Sequence, residues 1–435
     1  MKPSPSVPAA IAKAHFPFSP GFLPLAIEFV EKAAGGFDFG RKETGGLVLA
    51  TEELFAFYQD QAAASTDIEL TLENRGYRLI LTLSLRLADP DLRAFNLTYR
   101  VNPESEESLA GMGPMIASRS VTRLRLDFGA DDRLALHLVR DRDYPPASSV
   151  ALAAVPPQGE THLLDPTGAD IQHFAALVSA SGARFVPDFL ARPGMAADML
   201  AAGDLSALLA EAGGIPAGGV LWRRLSEPVI ELFGPYLFAP EGDDALLARL
   251  LDEAVGRIGR SGARILFRRQ DRLPGHERFF DFLGELTLAA AEGETTAWTH
   301  YFRQLREESG SAVYADPRFA EFLRAEYERL CLPRQVRDLP AAGARRPAAS
   351  ALTVEFEHGR SLATLRPLCA GTDMPENLAA HLELIEAEGI RNVIVEIDTG
   401  RADDAAFAPS LNELGFLPRL LVPDAGRGDL VLFAR

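Results

Sequence analysis

Val229–Gly259 reads VIELFGPYLFAPEGDDALLARLLDEAVGRIG, and its two halves follow different periodicities. The opening VIELFGPYLF is almost wholly apolar and aromatic, as suits a strand covered on both faces. Leucines then recur at 246, 247, 250 and 251 with charges between them, which predicts an amphipathic helix over Asp243–Arg260. Glu241, Asp243 and Asp244 lie where negative charge complements a helix N-terminus. Downstream, ARILFRR reads as a second strand and HERFFDFLG as a short aromatic helix. Upstream, a helix over Ala169–Ser181 and a glycine-punctuated helical region to Ala212 precede the strand-like GGVLWRRLSEP. The order β, β, α, β, α is an α/β pattern with partly parallel pairing.

The same order recurs at the end of the chain. ALTVEFEHGRSLATLRPL gives two strands, ENLAAHLELIEAEG a helix, IRNVIVEID a strand, DAAFAPSLNELG a helix, and LPRLLVPDAGRGDLVLFAR further strands. This suggests an internal structural repeat. Between the copies, aromatic and leucine positions predict a helical bridge from Thr296 to Leu332, stopped by Pro333, before the linker RDLPAAGARRPAAS.

The N-terminal part differs. A helix over Leu23–Ala34 and another over 43–62 are followed by DIELTLENRGYRLILTLSLRLAD, a hairpin turning at Asn74-Arg75-Gly76. VTRLRLDFGADDRLALHLVRD forms a second hairpin about Gly129–Asp132. Helices laid on a sheet of hairpins make an α+β sandwich. The proline-rich Tyr144–Pro157 closes it. The expected organisation is therefore a module at 15–145, a linker at 146–159, an α/β module at 160–290, a helical bridge and linker at 291–349, and a second α/β module at 350–435.

Composition narrows the function classes. A chain of 435 residues suits two or three domains, and no apolar run approaches the roughly 20 residues needed to span a bilayer. The start, MKPSPSVPAAIAKAHFPFSP, lacks a secretory apolar segment, so a cytoplasmic location is expected. Cys331 and Cys369 are too few for a disulfide framework, and no HxxxH, HxH or CxxC spacing offers a metal motif. A net charge of −17 argues against nucleic acid and anionic membrane as partners. Alternation places the basic residues of TRLRLDF and FRRQDR on solvated strand faces.

VIELFGPYLF, DDALLARLLDEAVGRIG, ARILFRR and FFDFLGEL together resemble part of the GNAT acyltransferase fold. ENLAAHLELIEAEG, IRNVIVEID and SLNELGF do the same in the last segment. The resemblance implies acetyl-CoA as a ligand, with its pyrophosphate on backbone N–H groups of a glycine-rich loop. That loop reads APEGDDAL here, with Gly242 as its single glycine among acidic neighbours, and the last segment's GTDMPENL is no richer. The resemblance also implies a tyrosine acid four residues before the closing Leu-Gly glycine, but Phe280 and Leu411 stand there. Glu231 as general base and Tyr236 as an alternative acid are the remaining candidates.

Residues 43–140 resemble the ATP-binding module of anti-sigma-factor serine kinases, a histidine-kinase-like ATPase. The resemblance carries Glu53 over as the base in ATEELFAFYQDQ. The family's magnesium-binding asparagine, four residues on, is Phe57, whose ring offers magnesium no oxygen. Asp89 in LADPDL matches the adenine-binding aspartate without its glycines. Gly111 and Gly113, before MIASRSV, match the glycine turn that presents N–H groups to phosphate, with Pro114 removing one donor.

The sequence thus predicts an α+β and α/β multidomain chain: an N-terminal α/β sandwich of the histidine-kinase-like ATPase type followed by two GNAT-like modules. Because each motif lacks a group its chemistry needs, the expected function is regulation through partner or ligand binding. ATP and acetyl-CoA are the candidate ligands, and a sigma factor or anti-sigma antagonist the candidate partner. Alternatives are a GNAT-type N-acetyltransferase regulated by the N-terminal module, and a protein serine kinase.

Overall fold

The computed structural model describes residues 10–63, 65–88, 90–99, 111–128, 133–147, 160–183, 186–238, 244–269, 278–290, 294–308, 310–340, 346–357 and 360–435. It is a mixed α/β multidomain structure with several sheets. The chain divides into two compact units, Met1–Pro145 with Ala201–Gly203, and Pro146–Leu200 with Asp204–Arg435.

In the first unit, β1 (Ala10–Pro17), β2 (Asp67–Asn74), β3 (Arg78–Arg86), β4 (Arg123–Phe128) and β5 (Arg133–Asp141) form an antiparallel sheet of order β1-β2-β3-β5-β4. Strand β1 has no counterpart in the sequence reading. Its AIAKAHFP begins among prolines and small residues and buries only Phe16. Helices α1 (Leu23–Gly36), α2 (Arg41–Gln59) and α3 (Met112–Ser120) accompany the sheet. Leucines 70, 72, 79, 81, 83, 134, 136 and 138 alternate along the strands and are almost fully buried, so one sheet face is core.

The second unit contains the repeat. Its first half holds β6 (Thr161–Leu164), α4 (Gly168–Ala180), α5 (Pro193–Ala202), β7 (Ser206–Ala212), β8 (Ile215–Arg224), β9 (Val229–Leu237), α6 (Asp244–Gly259), β10 (Ile265–Arg269), β11 (Asp281–Ala289) and β12 (Thr295–Gln304). The sheet order is β11-β12-β10-β9-β8-β7-β6, antiparallel except for the parallel pair β9–β10 that α6 connects. Strand, helix and parallel strand follow one another here in the order the sequence implied. Helix α6 buries Leu246, Leu247, Leu250, Leu251 and Ala254 against Ile230, Leu232 and Leu266 of the sheet.

After β13 (Ser311–Ala315), α7 (Pro317–Arg329) and β14 (Arg334–Asp338), the second half follows. It comprises β15 (Ala351–Glu357), β16 (Leu362–Cys369), α8 (Met374–Ala387), β17 (Asn392–Asp398), α9 (Ala402–Ala405), α10 (Ala408–Glu413), β18 (Leu417–Val422) and β19 (Leu430–Ala434). Its sheet order, β15-β16-β17-β19-β18, places β16 and β17 parallel with α8 between them. Matching β15 to β8, β16 to β9, β17 to β10, β18 to β11 and β19 to β12 reproduces the order of the first sheet. The repeat is therefore structural, and both halves belong to one compact unit.

Three sequence readings are corrected. Within the predicted helical bridge, Thr295–Gln304 is strand β12, and only Pro317–Arg329 is helical. Five consecutive residues of β12, Trp298–Phe302, are buried, because both faces of that strand are covered. Aromatics packed that way imitate a helical stripe. The helical region to Ala212 ends earlier, since SALLAEA is the buried strand β7. DFLGELTLA, expected to begin inside an aromatic helix, is β11.

Candidate functional site

The predicted GNAT-like residues lie on β9. Among the described residues, strand β10 pairs with β9 from Ile265–Val229 to Arg268–Leu232, and β9 runs on to Leu237. Between Gly219 and Leu221 of β8 the register of β9 jumps, so Gly234 and Pro235 form a bulge. Gly234 has φ +88°, a left-handed conformation suited to glycine. The bulge brings Tyr236, paired with Gly219, onto the sheet face that also carries Glu231. The Tyr236 ring is buried 6.2 Å from Phe174 of α4.

Glu231 is fully buried and held by two arginines. Arg223 of β8, directly opposite it, donates through Nε and Nη2 at 3.1 and 2.9 Å; Arg269 of β10 donates through Nε at 2.5 Å. Burial pushes the carboxyl pKa up, and the Arg269 and Arg223 guanidiniums outweigh it, leaving Glu231 below the ordinary carboxylate range. A carboxylate so held is a poor proton acceptor.

Arg268 points to the opposite face. It is 1% exposed, lies over the Tyr301 ring at 5.6 Å, and donates from Nε to the Gly234 carbonyl at 3.0 Å. Its side chain thus ties β10 to the bulge of β9. The expectation that the arginines of FRRQDR share one solvated face is corrected: Arg268 is in the core, and Arg269 clamps Glu231. Bidentate or clamping arginines around a buried acid leave no spacing signature, because Arg223, Glu231 and Arg269 come from three strands.

The face bearing Glu231 also displays Trp298 and His300 of β12, with ring centroids 4.9 Å apart. Residue 300 lies opposite Arg269 in the sheet register. Phe189 covers the face at Phe233, with rings 5.3 Å apart. At the other end the second half closes on β11: a Cβ at Gly284 would lie 2.5 Å from Leu420 Cδ1 of β18. Asn392, at the start of β17, exchanges hydrogen bonds with the backbone of Ala289 at 2.7 and 3.0 Å.

In the first unit Glu53 sits on α2, and the start of α3 is pressed against it. A Cβ at Gly113 would lie 2.9 Å from the Glu53 carbonyl and 3.3 Å from its Oε2. A Cβ at Gly111 would collide with the Tyr99 hydroxyl. The fold therefore brings Glu53, Gly111 and Gly113 into one neighbourhood, and the Glu53 backbone carbonyl leaves little room for a side chain at 113. Phe57 is buried edge-on to Tyr58 at 4.8 Å, a core position that supplies no ligand to magnesium. Tyr58 donates to the Asp91 carbonyl at 3.3 Å and Gln61 accepts from the Asp91 N–H at 3.0 Å, tying that loop to α2. Burial, with the Asp91 charge, pushes the Tyr58 hydroxyl far above its usual range. Asp89 and Gly242 lie outside the described residues. Among the described residues no cluster of His, Cys, Asp and Glu is arranged to hold a metal ion, and no helix is long and apolar enough to cross a membrane.

No protein-family model and no curated protein matches this sequence. Among solved structures, a GNAT acetyltransferase from Streptococcus pneumoniae is 17% identical, covering 33% of this chain and 99% of its own, with a TM-score of 0.29. An N-acetyltransferase from Staphylococcus aureus Mu50 is 15% identical over 34% of this chain and 100% of its own, at 0.29. A GNAT acetyltransferase from Brucella melitensis, solved with acetyl-CoA, is 15% identical over 35% and 92%, at 0.25. Likenesses this distant, over about a third of the chain, carry no argument about fold or activity.

Proposed function

We propose that this chain is a regulatory binding protein, in which an anti-sigma-kinase-like module is fused to two GNAT-like halves that recognise a ligand or partner without transferring an acyl group. The observation that carries this reading is the clamp on Glu231: the carboxylate in the position of a general base is neutralised by Arg223 and Arg269. In the first unit, buried Phe57 supports binding without phosphoryl transfer. The close approach of Gly113 to Glu53 keeps the nucleotide reading in play, with ATP as ligand and a sigma factor or its antagonist as partner.

The second reading is a GNAT-type N-acetyltransferase. It is favoured by one feature, the parallel pair β9–β10 connected by α6, with Tyr236 on the same face of β9 as Glu231. Thiol release from acetyl-CoA over a panel of amines separates the two. We expect no turnover above the uncatalysed rate. Turnover that disappears in Glu231→Gln would overturn the binding reading in favour of the transferase. Titration with ATP, with and without magnesium, tests the N-terminal part: binding indifferent to magnesium is expected.

A further inference from the structure

The sheet face that carries Glu231 is polar and incompletely paired. Arg223 and Arg269 spend three nitrogens on Glu231, leaving Nη1 of Arg223 and both terminal nitrogens of Arg269 without a hydrogen-bond partner among the described residues. Their side chains are 32% and 33% exposed, whereas Glu231 beneath them is 0% exposed. The clamp therefore leaves two guanidiniums partly exposed to solvent. Guanidinium edges match the oxygens of an organic anion.

A second, independent observation points to the same place. His300 is 1% exposed and Trp298 5% exposed, and His300 Nε2 and Trp298 Nε1 are both buried without a hydrogen-bond partner. His300 Nδ1 lies 2.9 Å from the Trp298 carbonyl and must donate to it, which fixes the neutral tautomer and leaves Nε2 a bare acceptor. Burial beside Arg269 holds that ring neutral. The indole N–H is a bare donor. Native interiors seldom leave such atoms unpaired unless something else supplies their partners. Guanidiniums from both halves flank the indole, Arg269 at 5.5 Å and Arg360 at 5.1 Å from its centroid.

We propose that this sheet face binds a small organic acid carrying a secondary amide, with its carboxylate on Arg223 and Arg269, its amide oxygen on Trp298 Nε1 and its amide N–H on His300 Nε2. The proposal deepens the binding reading of the same site by naming its ligand class. A secondary amide presents one donor and one acceptor, the complement of the orphaned pair, and the carboxylate complements the guanidinium edges. Arg360 places the second half in the recognition surface, so neither half forms the site alone.

The test uses the full chain with Trp222→Phe, which leaves Trp298 as the single tryptophan of the two and makes its emission the reporter. N-acetylglycine is titrated against acetate, N-acetylglycine methyl ester and inorganic phosphate, without acetyl-CoA. N-acetylglycine is expected to saturate, with the other three about 10-fold weaker or more. Arg269→Lys keeps a charge beside Glu231 and should weaken binding about 10-fold, and His300→Phe about 5-fold. Equal binding of acid and ester, phosphate or acetate binding as well as N-acetylglycine, or affinity unchanged in both variants overturns the proposal. Because no thioester is present, acyl transfer discovered separately would remove the binding-only reading without touching this result.

Discussion

The two halves of the second unit carry the same strand triad with inverted charge. Strands β8, β9 and β10 contribute Arg223, Glu231 and Arg269; their counterparts β15, β16 and β17 contribute Glu355, Arg366 and Glu396. Contacts are equally close, 2.9 and 2.5 Å in the first and 2.7 and 2.5 Å in the second. The central residues differ in exposure: Glu231 is 0% exposed and the Arg366 side chain 40%. Equal geometry therefore carries unequal energy, because desolvation governs the cost of breaking an ion pair. Arg269 also feels the charges of Glu396 and Glu357, so the positive triad meets acids of the other half.

The sharpest way to break this comparison is Glu231→Ala. It strands two guanidiniums around a buried vacancy and should cost about 3–5 kcal/mol in urea unfolding at pH 7. A loss below about 1 kcal/mol would mean that the buried triad is no more important than an exposed one. Acid provides a second view. The depressed Glu231 pKa gives stability that is fully present above the unfolded value of about 4.3 and is lost as pH falls through the lower folded value. In Glu231→Gln that acid-sensitive component should be absent.

Packing between the halves gives the next effect. Gly284 admits Leu420 so closely that a Cβ would lie 2.5 Å from its Cδ1. Gly284→Val should destabilise by about 1–3 kcal/mol through overpacking, and Leu420→Ala in the same chain should recover part of it. Additive losses in the double-mutant cycle would show that the two positions do not meet.

Opposite pH slopes distinguish the halves further. His300 in the first is held neutral, its pKa pushed down to about 3 by burial and then by Arg269. Between about 6.5 and 3 the unfolded chain binds the extra proton, so His300 makes the fold less stable as pH falls. Asp404 in the second half has its pKa raised to about 7, first by burial, against the opposing charge of Arg401. Between about 4 and 7 the folded state holds the extra proton, so stability falls as pH rises. Melting curves from pH 4 to 8 should therefore flatten at the acid end in His300→Phe. Asp404→Asn should raise the melting temperature at pH 8, corresponding to a stability gain on the order of 1 kcal/mol.

What the sequence disclosed follows from how many partners each signal needs. Helices α1, α2, α6 and α8, and the hairpin at Asn74-Arg75-Gly76, declare themselves locally through spacing and turn chemistry. The repeat was legible in the order of elements. Strands β7 and β12 were not: SALLAEA has helix-forming composition, and Trp298, Tyr301 and Phe302 fall at helical spacing, so only tertiary cover makes either a strand. Glu231 stood out as an acid within an apolar run. Its arginines did not, since Arg223 lies eight residues away and Arg269 thirty-eight, and only strand pairing unites them.

The smallest expected effect completes the triad comparison. Arg366 donates to Glu396 from Nε and to Glu355 from Nη1, and these carboxylates hold its guanidinium charged. Solvent reaches the group, so water can replace either partner when the contact is lost. Arg366→Met keeps much of the aliphatic stem against the sheet and removes only the charge. The expected loss is below about 1 kcal/mol and shrinks further in 1 M salt, whereas the Glu231→Ala loss should persist there because its charges are shielded from ions by the protein itself. A salt-insensitive loss of several kcal/mol in Arg366→Met would instead place the second triad in the interface between the halves, as deeply engaged with Arg269 as Glu231 is.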